Sequence, residues 1–235
     1  SIGIGQFVHA IRRGVNMVYI VENNGVYGLT KGQFSATADQ GSSSKRGVVN
    51  ADSPIDMIGL ALQLGATYVA RSFSGDKAQL VPLIKGAIAH RGPAFLDVIS
   101  PCVAFNNHAG STKSYEYVRE HNEAVNRLDI IPERSTIKVD YAPGETVEVE
   151  QHNGSRLRLH KLEENYDPRD RIAASNYLQQ HHAMGEVVTG LLYVDPDSSD
   201  LHEHLQTASE PLNRMGAAAL SPGRNALEKI NASLR

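Results

Sequence analysis

The loop after the first apolar strand carries the residues best suited to chemistry. Residues 15–21 are predicted to form a buried strand, and residues 24–33 then read Asn-Gly-Val-Tyr-Gly-Leu-Thr-Lys-Gly-Gln. An open α/β sheet places its ligand at such a strand end. Glycines let the backbone approach a phosphate closely, and the Asn24 side-chain oxygen is a hard ligand that Mg²⁺ accepts. The pattern favours a phosphate or magnesium site, although Asn-Gly often forms only a turn bonded to its own backbone.

Three spaced motifs carry a resemblance to a known family. Residues 24–33 resemble the Asn-x-x-Tyr-Gly-x-Thr-x-Gly-Gln segment of the β subunits of 2-oxoacid:ferredoxin oxidoreductases. Upstream, residues 9–13 resemble their His-x-x-Arg-Arg stretch, and residues 35–37 resemble their Ser-Pro-Thr. Downstream, residues 100–102 resemble their Ser-Pro-Cys segment. The resemblance is good over roughly residues 1–125, and the long tail favours the 2-oxoglutarate branch.

The resemblance implies a magnesium–thiamine diphosphate site in the loop. Asn24, through its side-chain oxygen, and Val26, through its backbone carbonyl, would hold Mg²⁺ against the diphosphate, and the Thr30 hydroxyl would bond a diphosphate oxygen. Leu29 and Lys31 would lie near the thiazolium and the 2-oxoacid as catalytic candidates, although Lys31 also fits a surface lysine. The implied cofactor-binding set is Asn24, Val26, Tyr27, Gly28, Leu29 and Thr30.

Cys102, the one cysteine of the chain, follows Pro101 at a predicted strand end. By itself it would be interpreted as a buried structural cysteine. The resemblance implies that it is one ligand of a [4Fe–4S] cluster, which needs four thiolates. The other three thiolates, and an acidic Mg²⁺ ligand from a Gly-Asp-Gly-Asp motif, are expected in an N-terminal part missing before Ser1. The alternative explanation for a sequence that begins at Ser1 is processing of a longer chain.

Composition excludes several other classes of function. The net charge of −3 gives no basic field for nucleic acid, and no apolar run approaches the ~20 residues that cross a bilayer. The first residues lack the basic start of a signal peptide, and a single cysteine suits a reducing compartment. These features predict a cytoplasmic protein. The histidines show no convincing metal-ligand spacing, and His181, His182, His202 and His204 are predicted to be solvated.

Strands and helices are predicted to alternate through the N-terminal half. The predicted strands are 15–21, 68–73 and 94–99, and the predicted helices are 7–12, 54–64 and 76–90. Ser53 is the expected N-cap of the second helix, with Pro54 at its first position. This order predicts an α/β, thiamine-diphosphate-binding fold with a mostly parallel sheet and helices on both faces.

The character of the sequence changes after Pro132. Residues 146–150 and 156–160 alternate around Asn-Gly at 153–154, which predicts a hairpin. Helices are predicted at 114–127 and 169–183, and a strand at 186–193. The chain is therefore divided into a partial thiamine-diphosphate-binding domain, residues 1–129, and a C-terminal appendage, residues 130–235, that packs on a partner as an arm.

These expectations combine into one hypothesis and two alternatives. The hypothesis is a β subunit that oxidatively decarboxylates a 2-oxoacid, 2-oxoglutarate above all, to acyl-coenzyme A and passes electrons to ferredoxin. It would need the α subunit, or α and γ subunits, of the same enzyme, and the chain alone would be inactive. The alternatives are a non-redox thiamine-diphosphate decarboxylase or carboligase, in which Cys102 is structural, and a non-catalytic assembly subunit. The loop residues Asn24, Tyr27 and Thr30 argue against the last.

Overall fold

A six-stranded mixed sheet organises the larger part of the chain. The computed structural model describes residues 2–30, 32–42, 47–100, 137–150, 156–221 and 223–234. Two compact units are present, residues 1–200 and residues 201–235. The predicted helix at 114–127, Cys102 and Lys31 lie outside the described residues.

The strand order of the sheet is β1-β5-β4-β8-β7-β6. Its strands are β1 Met17–Asn23, β4 Tyr68–Phe73, β5 Pro93–Ile99, β6 Thr146–Glu150, β7 Arg156–Lys161 and β8 Glu186–Val194; β2 Val26–Tyr27 and β3 Gln33–Phe34 form a separate small hairpin. Strands β1, β5 and β4 run parallel, and β8 lies antiparallel to β4. Strand β7 is parallel to β8 and antiparallel to β6. The α/β fold and the C-terminal hairpin are therefore confirmed.

Helices cover both faces of the sheet, as predicted. Helices α1 Ile4–Arg12, α2 Met57–Leu64 and α4 Arg171–Ala183 pack on one face. Helix α3, Lys77–Ala89, packs on the other through Leu83 and Ala87. Each face buries apolar side chains that alternate along the strands, so both sides of the central strands are removed from water.

The predicted start of α2 is wrong. The N-cap is Asp56, whose carboxylate accepts a hydrogen bond from the backbone N–H of Ile58 at 3.1 Å. Ser and Asp are about equally good N-caps, so composition cannot choose between Ser53 and Asp56. The helix ends as predicted at Gly65, which has a left-handed φ of 89° that favours glycine.

The sheet continues across the predicted boundary at residues 129 and 130. Strand β8 pairs with β4, and β7 and β6 extend the sheet from there. Residues 137–200 therefore complete the sheet that residues 1–100 begin. The assignment of residues 130–235 as a partner-binding arm stays a prediction, and only the part beyond residue 200 lies in a separate unit.

The second unit contains short helical segments. They are α5 Leu201–His204, a 3₁₀ turn Leu212–Arg214, α6 Ala217–Leu220 and α7 Gly223–Ser233. None of the four has a buried residue. Throughout the described residues, no helix combines the length and the apolar character that a bilayer crossing needs.

An aromatic cluster holds α1 on the sheet. The ring centroids of Phe7 and Phe95 are 5.1 Å apart in an edge-to-face arrangement, and Tyr19 packs against Phe7 at the same distance. Phe7 and Phe95 are fully buried. Phe7 and Tyr19 also line a cavity together with Asn24 and Val26 of the loop that follows β1, so the cluster supports one side of that cavity.

Phe95→Ala should lower the free energy of unfolding by about 3–5 kcal/mol, because a buried aromatic ring is lost and a cavity is left. Denaturant unfolding measures this change. Ile88→Ala, at a position 69% exposed on α3, is the matched control and should change stability by less than about 0.5 kcal/mol. Equal effects of the two substitutions would contradict the packing described.

Candidate functional site

A cavity of about 350 Å³ opens at the carboxyl edge of the parallel strands. Asn23 and Asn24 at the end of β1, Asp97 in β5 and Arg71 in β4 line one side. Because β8 is antiparallel to β4, its first residue, Glu186, lies at the same edge and lines the other side. Pockets for small ligands begin at about 300 Å³. The cavity is therefore large enough for part of a cofactor.

An ion pair lies inside this cavity. The Arg71 Nε atom donates to Asp97 Oδ2 at 2.8 Å, and an Arg71 terminal nitrogen lies 3.6 Å from Asp56 Oδ1. Asp97 is 1% exposed, and its Oδ1 atom has no hydrogen-bond partner among the described residues. A buried acceptor without a partner costs about 1–3 kcal/mol. Asp97 Oδ1 is therefore placed to accept a hydrogen bond from a ligand.

The loop predicted to bind the cofactor forms a turn and the β2–β3 hairpin. Asn24 Oδ1 accepts a hydrogen bond from the backbone N–H of Val26 at 3.1 Å. Gly25 has a φ of 70°, and its carbonyl accepts from the N–H of Ser35 at 2.9 Å. The ordinary asparagine turn is thus present. A carbonyl oxygen has two lone pairs, so Asn24 Oδ1 keeps one for a metal ion.

The remaining loop candidates do not all converge on a cavity. Val26 and Tyr27 line a second cavity of about 260 Å³ beside the first, together with Asn24. Leu29 is 98% exposed and Gly28 is also exposed. The exposed Thr30 hydroxyl donates to the Tyr27 carbonyl at 3.4 Å, and neither Leu29 nor Thr30 lines these two cavities. Their catalytic and cofactor-binding roles stay predictions.

Several residues at the edge were missed by the sequence analysis. Asn23 accepts a hydrogen bond from the Thr37 hydroxyl at 2.7 Å, which ties the end of β1 to the segment after the hairpin. Arg71, Asp97 and Glu186 line the cavity. The sequence contains a signal for two of these residues. Arg71 and Asp97 are the charged residues of β4 and β5, whose other residues are mostly apolar.

His181 is also not solvated as predicted. Its side chain is 13% exposed, and its Nδ1 atom lies 2.8 Å from Glu186 Oε2. Burial raises the pKa of the Glu186 carboxyl, but hydrogen bonds from His181 and Thr146 and the charge of Arg158 outweigh burial. The net result holds the pKa of Glu186 below its ordinary value of 4.5.

The lowered pKa of Glu186 predicts a contribution to acid stability. Stability from a carboxyl with a lowered folded-state pKa is present above its unfolded pKa, and is lost as the pH falls through the folded value. The Glu186 contribution should therefore disappear below pH 4.5. Urea unfolding from about pH 7 to about pH 3 should give a shallower acid limb for Glu186→Gln than for the wild type. Glu164→Gln, at an exposed position, is the control and should keep the wild-type slope. Identical slopes for all three proteins would show that Glu186 does not contribute to acid stability.

Comparison with known proteins agrees with this geometry. Residues 1–98 match the family model described as thiamine pyrophosphate enzyme, C-terminal TPP binding domain. The match indicates that this segment has the fold of a thiamine pyrophosphate-binding domain. The first cavity and the hairpin loop include residues of this matched segment.

Curated relatives extend the comparison beyond the domain. The chain is 44% identical over 133 residues to the 2-oxoacid:ferredoxin oxidoreductase subunit beta of Saccharolobus solfataricus, covering 56% of this chain and 41% of that protein. It is 37% identical over 108 residues to the 2-oxoglutarate oxidoreductase subunit KorB of Mycobacterium tuberculosis, covering 46% and 29%. It is 31% identical over 168 residues to the 2-oxoglutarate synthase subunit KorB of Methanocaldococcus jannaschii, covering 69% and 61%. The predicted resemblance to these β subunits is confirmed.

A solved structure matches over nearly the whole chain. It is the 2-oxoglutarate:ferredoxin oxidoreductase from Magnetococcus marinus with 2-oxoglutarate, coenzyme A and succinyl-CoA bound. The TM-score is 0.60 at 26% identity, and the match covers 94% of this chain and 64% of that chain. The chain spans less than half the length of the first curated relatives described above.

Proposed function

We propose that this chain is the thiamine-diphosphate-binding part of the β subunit of a 2-oxoglutarate:ferredoxin oxidoreductase. The complete enzyme would convert 2-oxoglutarate and coenzyme A to succinyl-coenzyme A and carbon dioxide and pass two electrons to ferredoxin. The observation that carries the proposal is the Asn24 loop at the carboxyl edge, beside a cavity and within the segment that matches a thiamine pyrophosphate-binding domain. Relatives named for 2-oxoglutarate support the choice of substrate.

The residues of the loop fit magnesium and a diphosphate in part. Asn24 Oδ1 and the Val26 carbonyl are neutral hard oxygens, and Asn24 is exposed at the cavity. Two neutral ligands leave the charge of the metal to be balanced by the diphosphate and by an acidic ligand outside the loop. Asn24, Val26 and Thr30 would hold the Mg²⁺–diphosphate end of the cofactor.

Charge within the cavity also restricts the placement of the cofactor. Arg71 is compensated by Asp97 at 2.8 Å and by Asp56 at 3.6 Å, so it offers little net attraction to a diphosphate. The diphosphate should therefore lie at the loop, and the thiazolium and aminopyrimidine part of the cofactor in the cavity. When bound, thiamine diphosphate supplies the carbanion chemistry of 2-oxoacid decarboxylation. Asp97 Oδ1 would orient that part by accepting a hydrogen bond.

The iron–sulfur proposal rests on Cys102. A [4Fe–4S] cluster needs four thiolates, and these 235 residues contain one cysteine. This donor set does not fit a cluster by itself, so no step of the reaction is derived through it. We assign Cys102 as one ligand, with the other thiolates contributed from outside these residues.

Activity of the complete complex tests the proposed function. Dye reduction by a viologen should require both 2-oxoglutarate and coenzyme A, because electrons leave the enzyme only when the acyl group can be transferred. Carbon dioxide release without dye reduction would instead indicate a non-redox decarboxylase. A correctly assembled complex whose turnover is independent of this chain would indicate an assembly subunit.

Asn24→Ala should weaken Mg²⁺–thiamine diphosphate binding to the complex by about tenfold or more, because a hard oxygen ligand is lost. Isothermal titration calorimetry measures the affinity. Asn231→Ala removes the same side chain from an exposed position in α7 and should leave the affinity unchanged. An Asn24→Ala complex with wild-type affinity would remove Asn24 from the site.

Residues 201–235 are the part of the predicted arm that can be removed without cutting the sheet. Several large apolar side chains of this unit are exposed, among them Leu212, Leu227 and Leu234. Partner and substrate surfaces often expose such side chains. We therefore propose that this unit binds the α subunit and so contributes to assembly of the complex. We place that complex in the cytoplasm.

Deletion of residues 201–235 should weaken assembly while cofactor affinity changes little. Size-exclusion chromatography with the partner subunit measures assembly, and calorimetry measures cofactor binding. A longer deletion, of residues 145–235, cannot test the role of this unit alone, because it would also remove strands β6, β7 and β8. A truncated chain that still elutes at full complex size would show that the unit is not the arm.

A further inference from the structure

A cluster of histidine, glutamate and tyrosine side chains lies beside the cavity. His160 belongs to β7, Glu163 follows that strand, and Tyr177 and His181 belong to α4. We propose that His160, Glu163 and His181 bind a transition-metal ion, with Zn²⁺ as the ion that this ligand set favours. Imidazole nitrogen and carboxylate oxygen are common zinc ligands, and Mg²⁺ is held mainly by oxygen. The proposed site is independent of the magnesium–thiamine diphosphate site.

The spacing of the three side chains is close to that of a zinc site. One ligand atom from each residue lies within 4.8 Å of those of the others. Zinc–ligand bonds of about 2.0–2.1 Å in a tetrahedron separate neighbouring ligand atoms by about 3.4 Å. The largest separation must therefore close by at most about 1.4 Å. His160 is 5% exposed and fixed by its strand, whereas His181 and Glu163 are partly exposed and can rotate towards it.

Hydrogen-bond partners are in place for the Nδ1 atoms of both imidazoles. His181 Nδ1 lies 2.8 Å from Glu186 Oε2; because an ionised carboxylate only accepts, Nδ1 carries the proton and Nε2 carries the lone pair. Metal binding through His160 Nε2 requires the tautomer in which His160 Nδ1–H donates to the Thr146 hydroxyl at 2.9 Å, and that hydroxyl can then donate to Glu186 Oε1 at 3.2 Å. In this tautomer His160 Nε2 also carries a lone pair. Metal-binding histidines are commonly oriented by such hydrogen bonds from their other nitrogen.

In the metal-binding tautomer the cluster holds more hydrogen-bond acceptors than donors. The Tyr177 oxygen lies 2.9 Å from His160 Nε2 and 2.7 Å and 2.9 Å from the two Glu163 oxygens. His160 Nε2 itself lies 3.4 Å from Glu163 Oε1. In the tautomer with a lone pair on His160 Nε2, one phenol hydrogen cannot serve both the imidazole and the carboxylate. A metal ion would bind the His160 imidazole and the Glu163 carboxylate together, and it would also bind the His181 imidazole. A proton on His160 would not engage His181.

Binding would change the ring packing and connect three elements. The His160 and His181 rings are stacked with centroids 4.2 Å apart, an arrangement in which both lone pairs cannot point at one ion. Metal binding should therefore turn His181 out of the stack. The ion would join β7, α4 and the residue Glu163, and through His181 it would hold Glu186, which lines the cavity. The role is a structural clip on one wall of the cavity.

Metal titration of the metal-free 235-residue chain tests the proposal. Zn²⁺ should bind with one equivalent, and Co²⁺ should give the visible absorption of a four-coordinate site with nitrogen and oxygen ligands. Zn²⁺ at about a hundredfold excess over its Kd should raise the melting temperature by about 5–10 °C. Absence of Zn²⁺ binding to the folded chain would overturn the proposal.

Matched substitutions separate this site from adventitious binding. His181→Gln and Glu163→Gln should abolish the Co²⁺ spectrum, whereas the neighbouring exposed positions, in His182→Gln and Glu164→Gln, should retain it. Thr146→Ala should weaken Zn²⁺ binding about 10–100-fold, because it removes the partner of His160 Nδ1. Circular dichroism of each variant verifies folding. Equal Zn²⁺ affinity of His181→Gln and His182→Gln would also overturn the proposal.

Discussion

The pairing of β4 along both of its edges is the constraint on which the rest of the structure depends. On one edge β4 is parallel to β5, which is in turn parallel to β1, so the carboxyl ends of the three strands meet. On the other edge β4 is antiparallel to β8. Strand β8 therefore begins at the edge where β4 ends, and its first residue, Glu186, lines the same cavity as Asn23 at the end of β1. A parallel β8 would carry Glu186 to the opposite edge and divide the cavity between the two ends of the sheet.

Electrostatics strengthens this register. Arg71 and Asp97 are direct partners across β4 and β5, and their side chains pair at 2.8 Å. A shift of one residue would move each side chain to the other face and separate the charges. Removing one partner from a buried ion pair costs about 3–5 kcal/mol, so the alternative register is strongly disfavoured. The pair itself is neutral, but the cavity is also lined by the carboxyl side chains of Asp39, Asp56 and Glu186, which disfavours a diphosphate inside it.

Local patterns in the sequence were sufficient for most of the elements and for the fold. Apolar runs predicted β4 without error in its bounds, and the alternation around residues 153–154 predicted the β6–β7 pairing. The N-cap of α2 could not be chosen, because Ser and Asp cap helices about equally well. Arg71 pairs with Asp97, which is 26 residues away in the chain. His181 stacks on His160, which is 21 residues away. Such partners follow from tertiary packing, which local periodicity does not describe.

The position of the C-terminal strands changes the interpretation of the C-terminal half. Lys161 in β7 lies 2.9 Å from Asp76, the residue that caps α3, and the Tyr141 hydroxyl lies 2.7 Å from that of Thr189 in β8. Thr189 in turn lies 3.4 Å from the Gln79 side chain of α3. These groups are largely buried, so loss of the C-terminal strands would leave Asp76 without its cation in a poorly solvated position. The C-terminal strands are consequently part of the framework of the candidate site.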